Sequence, residues 1–104
     1  MTTNTRIVHA TVKKARSFTT NGNTVHVFEL TLLEAVGQAA AGDTLRMQLY
    51  PSYLAGRFMP PRMALVDEGD VLSLELQGIT VSYGFLEFDR FVEFEVNTYR
   101  PTTS

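Results

Sequence analysis

Apolar and polar residues alternate along most of this chain, and such alternation is typical of strands with one buried face. Turn-forming residues separate the alternating runs, most clearly the Asn-Gly pair within residues 19–23. A segment of small residues, 34–43, carries two glycines and is interpreted as a loop rather than one helical turn. The predicted strands are 6–14, 24–33, 44–50, 71–76 and the two arms of a hairpin, 79–83 and 85–96.

One face of each early strand is apolar, and these faces together form the predicted core. The predicted inward residues are Leu45, Met47, Leu49, Leu72, Leu74 and Leu76. In the first two strands the pattern groups residues by face without naming the buried one: Val8, Ala10 and Val12 share one face of the first strand, and Phe28, Leu30 and Leu32 one face of the second. Residues 85–96 carry aromatic side chains on both faces, so the pattern alone does not assign a buried side to that strand.

The segment between the third and fourth strands breaks the alternation. Pro51-Ser52 can open a short helix through Gly56, and Pro60-Pro61 would end it. Two long hairpins around a helical connector favour a mainly β fold, a small five-stranded OB-type antiparallel barrel, although other small barrels and sandwiches give a similar pattern. The length fits one domain over 1–104, with an ordered core over about 5–96 and a short polar tail over 97–104.

The sequence lacks the residues and motifs that disulfides, common metal sites and common catalytic sites require. The chain has no cysteine, which excludes disulfides, thiolate catalysis and cysteine-bound zinc. His9 and His26 lie mid-strand and could pair across the first hairpin, but two histidines alone do not predict a metal site. No catalytic triad motif or phosphate-binding glycine loop is present. We therefore predict a protein that is not an enzyme, with no cofactor and no small-molecule substrate.

Acidic residues alternate along the last strand, at Glu87, Asp89, Glu93 and Glu95. Paired carboxylates can serve catalysis, but a solvated strand face that protects a sheet edge is the favoured interpretation. No signal peptide and no apolar run of membrane-spanning length is seen, so the expected location is the cytoplasm, that of the host if the chain is phage-encoded, with no membrane partner.

Charge is distributed unevenly along the chain, although the net charge is only −2. Residues 1–62 carry seven basic and three acidic side chains, whereas residues 63–104 carry two and eight. A polyanionic partner would meet the basic part rather than the average. Interleaving of strands from both parts could equally scatter these charges over the surface.

Cationic and aromatic side chains occur together on predicted outward faces and in the connector. Single-stranded nucleic acid is bound by cations that contact phosphates and by aromatic rings that stack on bases. The candidate residues are Lys13, Lys14, Arg16, Phe18, Arg46, Gln48, Tyr50, Tyr53, Arg57, Phe58, Tyr83 and Phe85.

Each candidate also has a structural interpretation. Phe18 and Phe58 could cover the core, and Tyr50 and Tyr53 could cap the barrel. The tip aromatics Tyr83 and Phe85 could pack against a second subunit. Arg46 could pair with Glu29 on the neighbouring strand, in an exposed ion pair worth about 0–1 kcal/mol.

Short motifs in the chain resemble those of OB-fold single-stranded DNA-binding proteins. The order of an Asn-Gly turn, Phe28-Glu29-Leu30-Thr31-Leu32 and Glu68-Gly69-Asp70-Val71 is similar to the bacterial single-stranded DNA-binding domain. The run Tyr83-Gly84-Phe85-Leu86-Glu87-Phe88-Asp89-Arg90-Phe91 and the loop Phe18-Thr19-Thr20 resemble filamentous-phage single-stranded DNA-binding proteins. The chain departs from the bacterial pattern in having no tryptophan.

This resemblance implies a sequence-tolerant single-stranded DNA-binding protein that serves phage or plasmid replication and protection, as a homodimer or higher homo-oligomer. It implies that Tyr83 or Phe85 stacks on bases at the hairpin tip, that Arg90 contacts a phosphate, and that Tyr50 acts as a stacking residue of the third strand.

A second hypothesis does not involve nucleic acid. The chain would then be a β-barrel protein-interaction or structural module, such as a virion component or an inhibitor of a host enzyme. The tip aromatics would form the energetic centre of a protein interface.

Overall fold

The fold is mainly β, in a computed structural model that describes residues 5–50 and 58–97. The strands are β1 (Thr5–Thr20), β2 (Asn23–Leu32), β3 (Thr44–Leu49), β4 (Val71–Gln77), β5 (Thr80–Ser82), β6 (Phe85–Glu87) and β7 (Arg90–Asn97). They form one sheet in the order β5-β6-β3-β2-β1-β4-β7. The prediction of a mainly β fold is confirmed, but the prediction of five strands is wrong, because this part of the chain holds seven.

The extra strands arise where the predicted return strand 85–96 breaks in two. The Asp89 backbone N–H donates to the Gln77 carbonyl oxygen at 2.8 Å, and Phe88 is buried. The chain thereby leaves its parallel pairing with β3 and begins an antiparallel pairing with β4. Since β6 and β7 lie on opposite sides of the strand order and only two residues join them, the sheet curls into a half-barrel.

The core fills the inside of this curl. All six predicted inward residues are buried, and so are the grouped faces of the first two strands at Val8, Ala10, Val12, Phe28, Leu30 and Leu32, each at 3% exposure or less. The sequence pattern did not assign a buried face to the last strand, and the structure shows which face it is. Phe91 pairs with Leu76 and Phe94 with Leu74, and both rings are buried. Val92 is an additional residue in that strand, so aromatic side chains three positions apart reach the same side.

A second irregularity divides the long strand β1. Val12 pairs with Leu30 and Lys14 with Glu29, so Lys13 is an additional residue on the β1 side. Up to this bulge, the even-numbered residues of β1 point into the core. Beyond it Ala15 pairs with buried Phe28, and the even-numbered residues lie on the outer face.

Beyond the bulge the first hairpin extends past the rest of the sheet. The pairing of β2 with β3 ends at His26 and Leu49, whereas its pairing with β1 continues to Thr20 and Asn23. The end of the hairpin is therefore a two-stranded arm, closed by Asn21 and Gly22 at φ values of 51° and 77°. Positive φ at both positions is what a type I′ turn requires.

The predicted helical connector is not found in the described part of the connector, residues 58–70. Within residues 58–70 the only helical segment is one 3₁₀ turn, Pro61–Leu65, and it begins at the prolines instead of ending there. A proline at the first position has the right φ and needs no amide partner, which explains this placement. Tyr53–Gly56, where the helix was expected, lie outside the described residues. Over the described ranges, no helix has the length and apolar character needed to cross a membrane.

The two histidines do not pair across the first hairpin, contrary to the sequence interpretation. His26 lies opposite Ser17, and His9 lies opposite Ser73 of β4. His9 instead contacts the loop that follows β2: its Nδ1 lies 3.0 Å from Glu34 Oε1, and its backbone N–H donates to the same oxygen. These hydrogen bonds lower the pKa of Glu34 below its usual value of 4.5.

Candidate nucleic-acid interface

Two rows of side chains cross the outer face of four adjacent strands. In the first row, Lys14 lies opposite Glu29, Glu29 opposite Arg46, and Arg46 opposite Phe85. At about 4.8 Å per strand, this row spans about 14 Å. In the second row, Arg16 lies opposite Val27 and Val27 opposite Gln48. Directly paired residues share a face of the sheet, so these side chains are neighbours.

The bulge at Lys13 is the reason that β1 contributes to this surface. If Lys13 were paired regularly opposite Glu29, Arg16 and Phe18 would lie on the same side as Val12, which is 1% exposed in the core. With Lys13 as an additional residue, both side chains join Arg46 on the outer face. The sequence alternation alone gives no sign of this change, because it breaks down after Lys14.

The rows border a shallow cleft of about 360 Å³. Five of the predicted binding residues line it, and they come from three different strands: Arg16, Phe18, Arg46, Gln48 and Phe85. Val27 and Glu29 complete the lining. Val27 and Glu29 lie on the same face of β2. Pairing that face with the outward face of β3 in the sequence analysis would have predicted that these two residues line the cleft.

One carboxylate lies among these cations. Glu29 Oε2 is 3.5 Å from Arg16 Nη2, and the side chains of Glu29 and Arg16 are 19% and 62% exposed. The expectation that Arg46 and Glu29 face one another is confirmed by the register, but the ion pair forms with Arg16 instead. Arg46 is exposed and forms no ion pair with any residue of 5–50 or 58–97. It is thus available to an anion.

The β5–β6 turn, just before Phe85, exposes an aromatic ring that lines a neighbouring cavity and not the cleft itself. Tyr83 is 98% exposed, and its φ of 50° is followed by 76° at Gly84. The Gly84 carbonyl oxygen accepts a hydrogen bond of 2.9 Å from the Arg46 backbone N–H, which fixes the turn against β3. A non-glycine residue at positive φ, other than Asn or Asp, is uncommon and marks a conformational cost. At 98% exposure, the Tyr83 side chain gains little from packing against the described residues.

The remaining predicted aromatics are partly covered. Phe18 is 48% exposed and lies opposite Val25, which is buried outside the main core. Tyr50 and Phe58 are half-buried and form a parallel backbone bridge, and the Tyr50 carbonyl oxygen accepts from Met59 N–H at 2.6 Å. Neither belongs to the main core cluster.

Not every candidate reaches the cleft. Lys13 and Lys14 are exposed at the bulge beside it. Arg90 begins β7 opposite Gln77, away from the cleft lining. Tyr53 and Arg57 lie outside the described residues.

Acidic residues gather on a different part of the outer surface. Here Glu75 lies between Ile7 and Glu93, and Ser73 lies between His9 and Glu95. These rows belong to the first half of β1, to β4 and to β7, whereas the cationic rows belong to the second half of β1, to β2 and to β3. The two kinds of charge are therefore separated on the folded surface, which favours the polyanion interpretation of the charge asymmetry over scattering.

The described residues contain no group of three histidine, aspartate or glutamate side chains placed to hold a metal ion. No protein-family model, curated protein or solved structure matches this chain.

Proposed function

We propose that this chain is an OB-type barrel that binds single-stranded DNA with little dependence on sequence. The barrel assignment is supported by the strand connectivity: β1 pairs with β2 and with β4, β3 pairs in parallel with β6, and β6 continues into β7 beside β4. The proposed role is protection or replication of phage or plasmid DNA in the cytoplasm, by a homodimer or higher homo-oligomer.

The observation that carries the binding proposal is the cleft itself. Two arginines, two phenylalanines and a glutamine from distant parts of the sequence converge there. Lys13 and Lys14 are exposed at the bulge beside them, and Tyr83 is exposed on the turn before Phe85. Arginine and lysine neutralise phosphates, and exposed rings stack on any base. A shallow and open surface of this kind suits a flexible single strand.

A titration with labelled oligothymidine at two salt concentrations tests the proposal. If Lys13, Lys14, Arg16 and Arg46 contact three or four phosphates, log K should fall against log salt with a slope of about −2 to −3. Duplex DNA of the same length should bind more weakly, because its bases are not available for stacking. Absence of binding at low salt would contradict the proposal.

A protein-interaction module remains the second candidate, and one observation favours it. Ile7 is 51% exposed, and Val92 and Val96 on the edge strand β7 are each 36% exposed beside the acidic rows. An edge strand can pair with a partner strand. This candidate predicts no salt-dependent oligonucleotide binding, so the same titration separates the two functions.

A further inference from the structure

The cleft contains a feature that phosphate binding does not require. Glu29 lies at the centre of the first row, between Lys14 and Arg46, and lines the cleft together with Phe18 and Phe85. A carboxylate at this position repels phosphates. It also accepts hydrogen bonds from N–H donors and donates none.

The free state of Glu29 leaves part of its accepting capacity open. Its Oε2 faces Arg16 at 3.5 Å, and no hydrogen bond to its Oε1 is seen from residues 5–50 or 58–97. The Glu29 side chain is 19% exposed, so solvent reaches part of it. The apolar side chain of Val27 and the amide of Gln48 line the cleft together with the Glu29 carboxylate.

We propose that Glu29 is a specificity-determining residue that accepts a hydrogen bond from the amino group of one bound base, and that the cleft therefore prefers cytosine to uracil or thymine. This inference rests on the proposed function and refines it at one nucleotide position. Phosphates lie along Lys13, Lys14 and Arg46 at the border of the cleft, and one base edge points to its floor.

The chemistry of the two pyrimidines explains the direction of the preference. Cytosine has an amino donor at C4, and acceptance from that group by Glu or Asp is an established form of base recognition. Uracil and thymine have a carbonyl oxygen at C4, which would face the carboxylate with like partial charge. Stacking on Phe18 or Phe85 is nearly the same for all three.

Oligodeoxycytidine and oligodeoxyuridine are the probes, since neither carries the thymine methyl group. With labelled strands of about 16 nucleotides at neutral pH, we expect the native protein to bind oligodeoxycytidine about fivefold more tightly, the lower end of the range for a base contact. Glu29→Gln should tighten the binding of both strands, because it releases Arg16 and removes a negative charge. The amide introduced by Glu29→Gln can also donate a hydrogen bond to the C4 oxygen of uracil, so the preference for cytosine should disappear.

Glu93→Gln is the matched control, because it removes the same charge from the acidic rows outside the cleft. It should leave the ratio of the two affinities unchanged. Equal affinities in the native protein, or a preference that survives in Glu29→Gln, would overturn the role of Glu29 while leaving single-strand binding intact. Failure of both strands to bind at low salt would overturn the proposed function, and this inference with it.

Discussion

The two hairpin turns of this protein have nearly the same backbone but different residues at the first central position. Asn21 and Gly22 have φ values of 51° and 77°, and Tyr83 and Gly84 have values of 50° and 76°. Asparagine tolerates this conformation, whereas for tyrosine it costs about 1–2 kcal/mol. Because Tyr83 is 98% exposed, no burial is lost when its ring is removed.

We therefore expect Tyr83→Asn to raise the free energy of unfolding by about 1 kcal/mol, which corresponds to roughly 4 °C in Tm for a domain of this size. The same substitution should weaken binding of oligothymidine by about 1–3 kcal/mol, or roughly 5- to 150-fold, if the ring stacks on a base. Thermal unfolding followed by circular dichroism measures the first effect, and fluorescence anisotropy of a labelled strand measures the second.

The first turn provides the reverse experiment. Asn21→Tyr should lower the free energy of unfolding by about 1 kcal/mol, since it introduces the same strain at the same backbone geometry. It should leave oligonucleotide binding unchanged, because Asn21 is neither a cation nor a ring of the proposed interface. Tyr83→Phe keeps both the strain and the ring, and should match the native protein in both assays. A lower Tm for Tyr83→Asn would refute the strain, and a higher Tm with unchanged binding would refute the stacking role.

Three further perturbations test other parts of the structure. Arg46→Ala should weaken oligonucleotide binding and reduce the slope of log K against log salt by about 0.7 per lost phosphate contact. The control is Arg62→Ala, which should change neither, because the Arg62 guanidinium carbon lies 5.2 Å from the centroid of the buried Phe94 ring. Equal effects of the two substitutions would contradict the placement of the cleft. Glu34→Gln should reduce the loss of folding stability below pH 4.5, because hydrogen bonds from His9 lower the pKa of Glu34 in the folded state, and the stability that the carboxylate contributes is lost as pH falls through that folded-state pKa. Urea unfolding at several pH values measures this effect. The same loss of stability at acidic pH in the variant and the native protein would contradict it. Deletion of Lys13 should leave the register on both sides of the bulge in place, because Val12 can still pair with Leu30 and Lys14 with Glu29 when the additional residue is removed. The free energy of unfolding in urea should therefore fall by no more than about 1 kcal/mol, and Lys13→Ala should change it by less than about 0.5 kcal/mol. A loss of several kilocalories per mole on deletion would contradict the assignment of Lys13 as the additional residue.

The core could be predicted from the sequence because its signal is local. Val12, Leu30 and Leu74 alternate with polar neighbours, and each is buried. Alternation with period two assigns a face without any knowledge of strand order. The Asn-Gly turn is predictable for the same reason.

The irregular positions could not be predicted, because strand pairing decides them. The extra residues at Lys13 and Val92 show only in the register with β2 and β4. The break at Phe88 depends on where the chain exchanges one partner strand for another. For the candidate site, residue types were foreseen, but the convergence of Phe18 with Phe85 required both the bulge and the parallel pairing of β3 with β6.

The two-stranded arm beyond His26 gives the cleft one adaptable side. Among the described residues the arm has no strand partner outside itself, and beyond Val25, which is 5% exposed, its tip is mostly exposed. Local opening of the tip therefore costs less free energy than opening of the core. Phe18 belongs to this arm, whereas Arg46 belongs to the middle of the sheet, with β2 on one side and β6 on the other. A ligand held at Arg46 therefore meets a residue that is fixed in the sheet. The ring of Phe18, on the less stable arm, can shift to accommodate bases of different size.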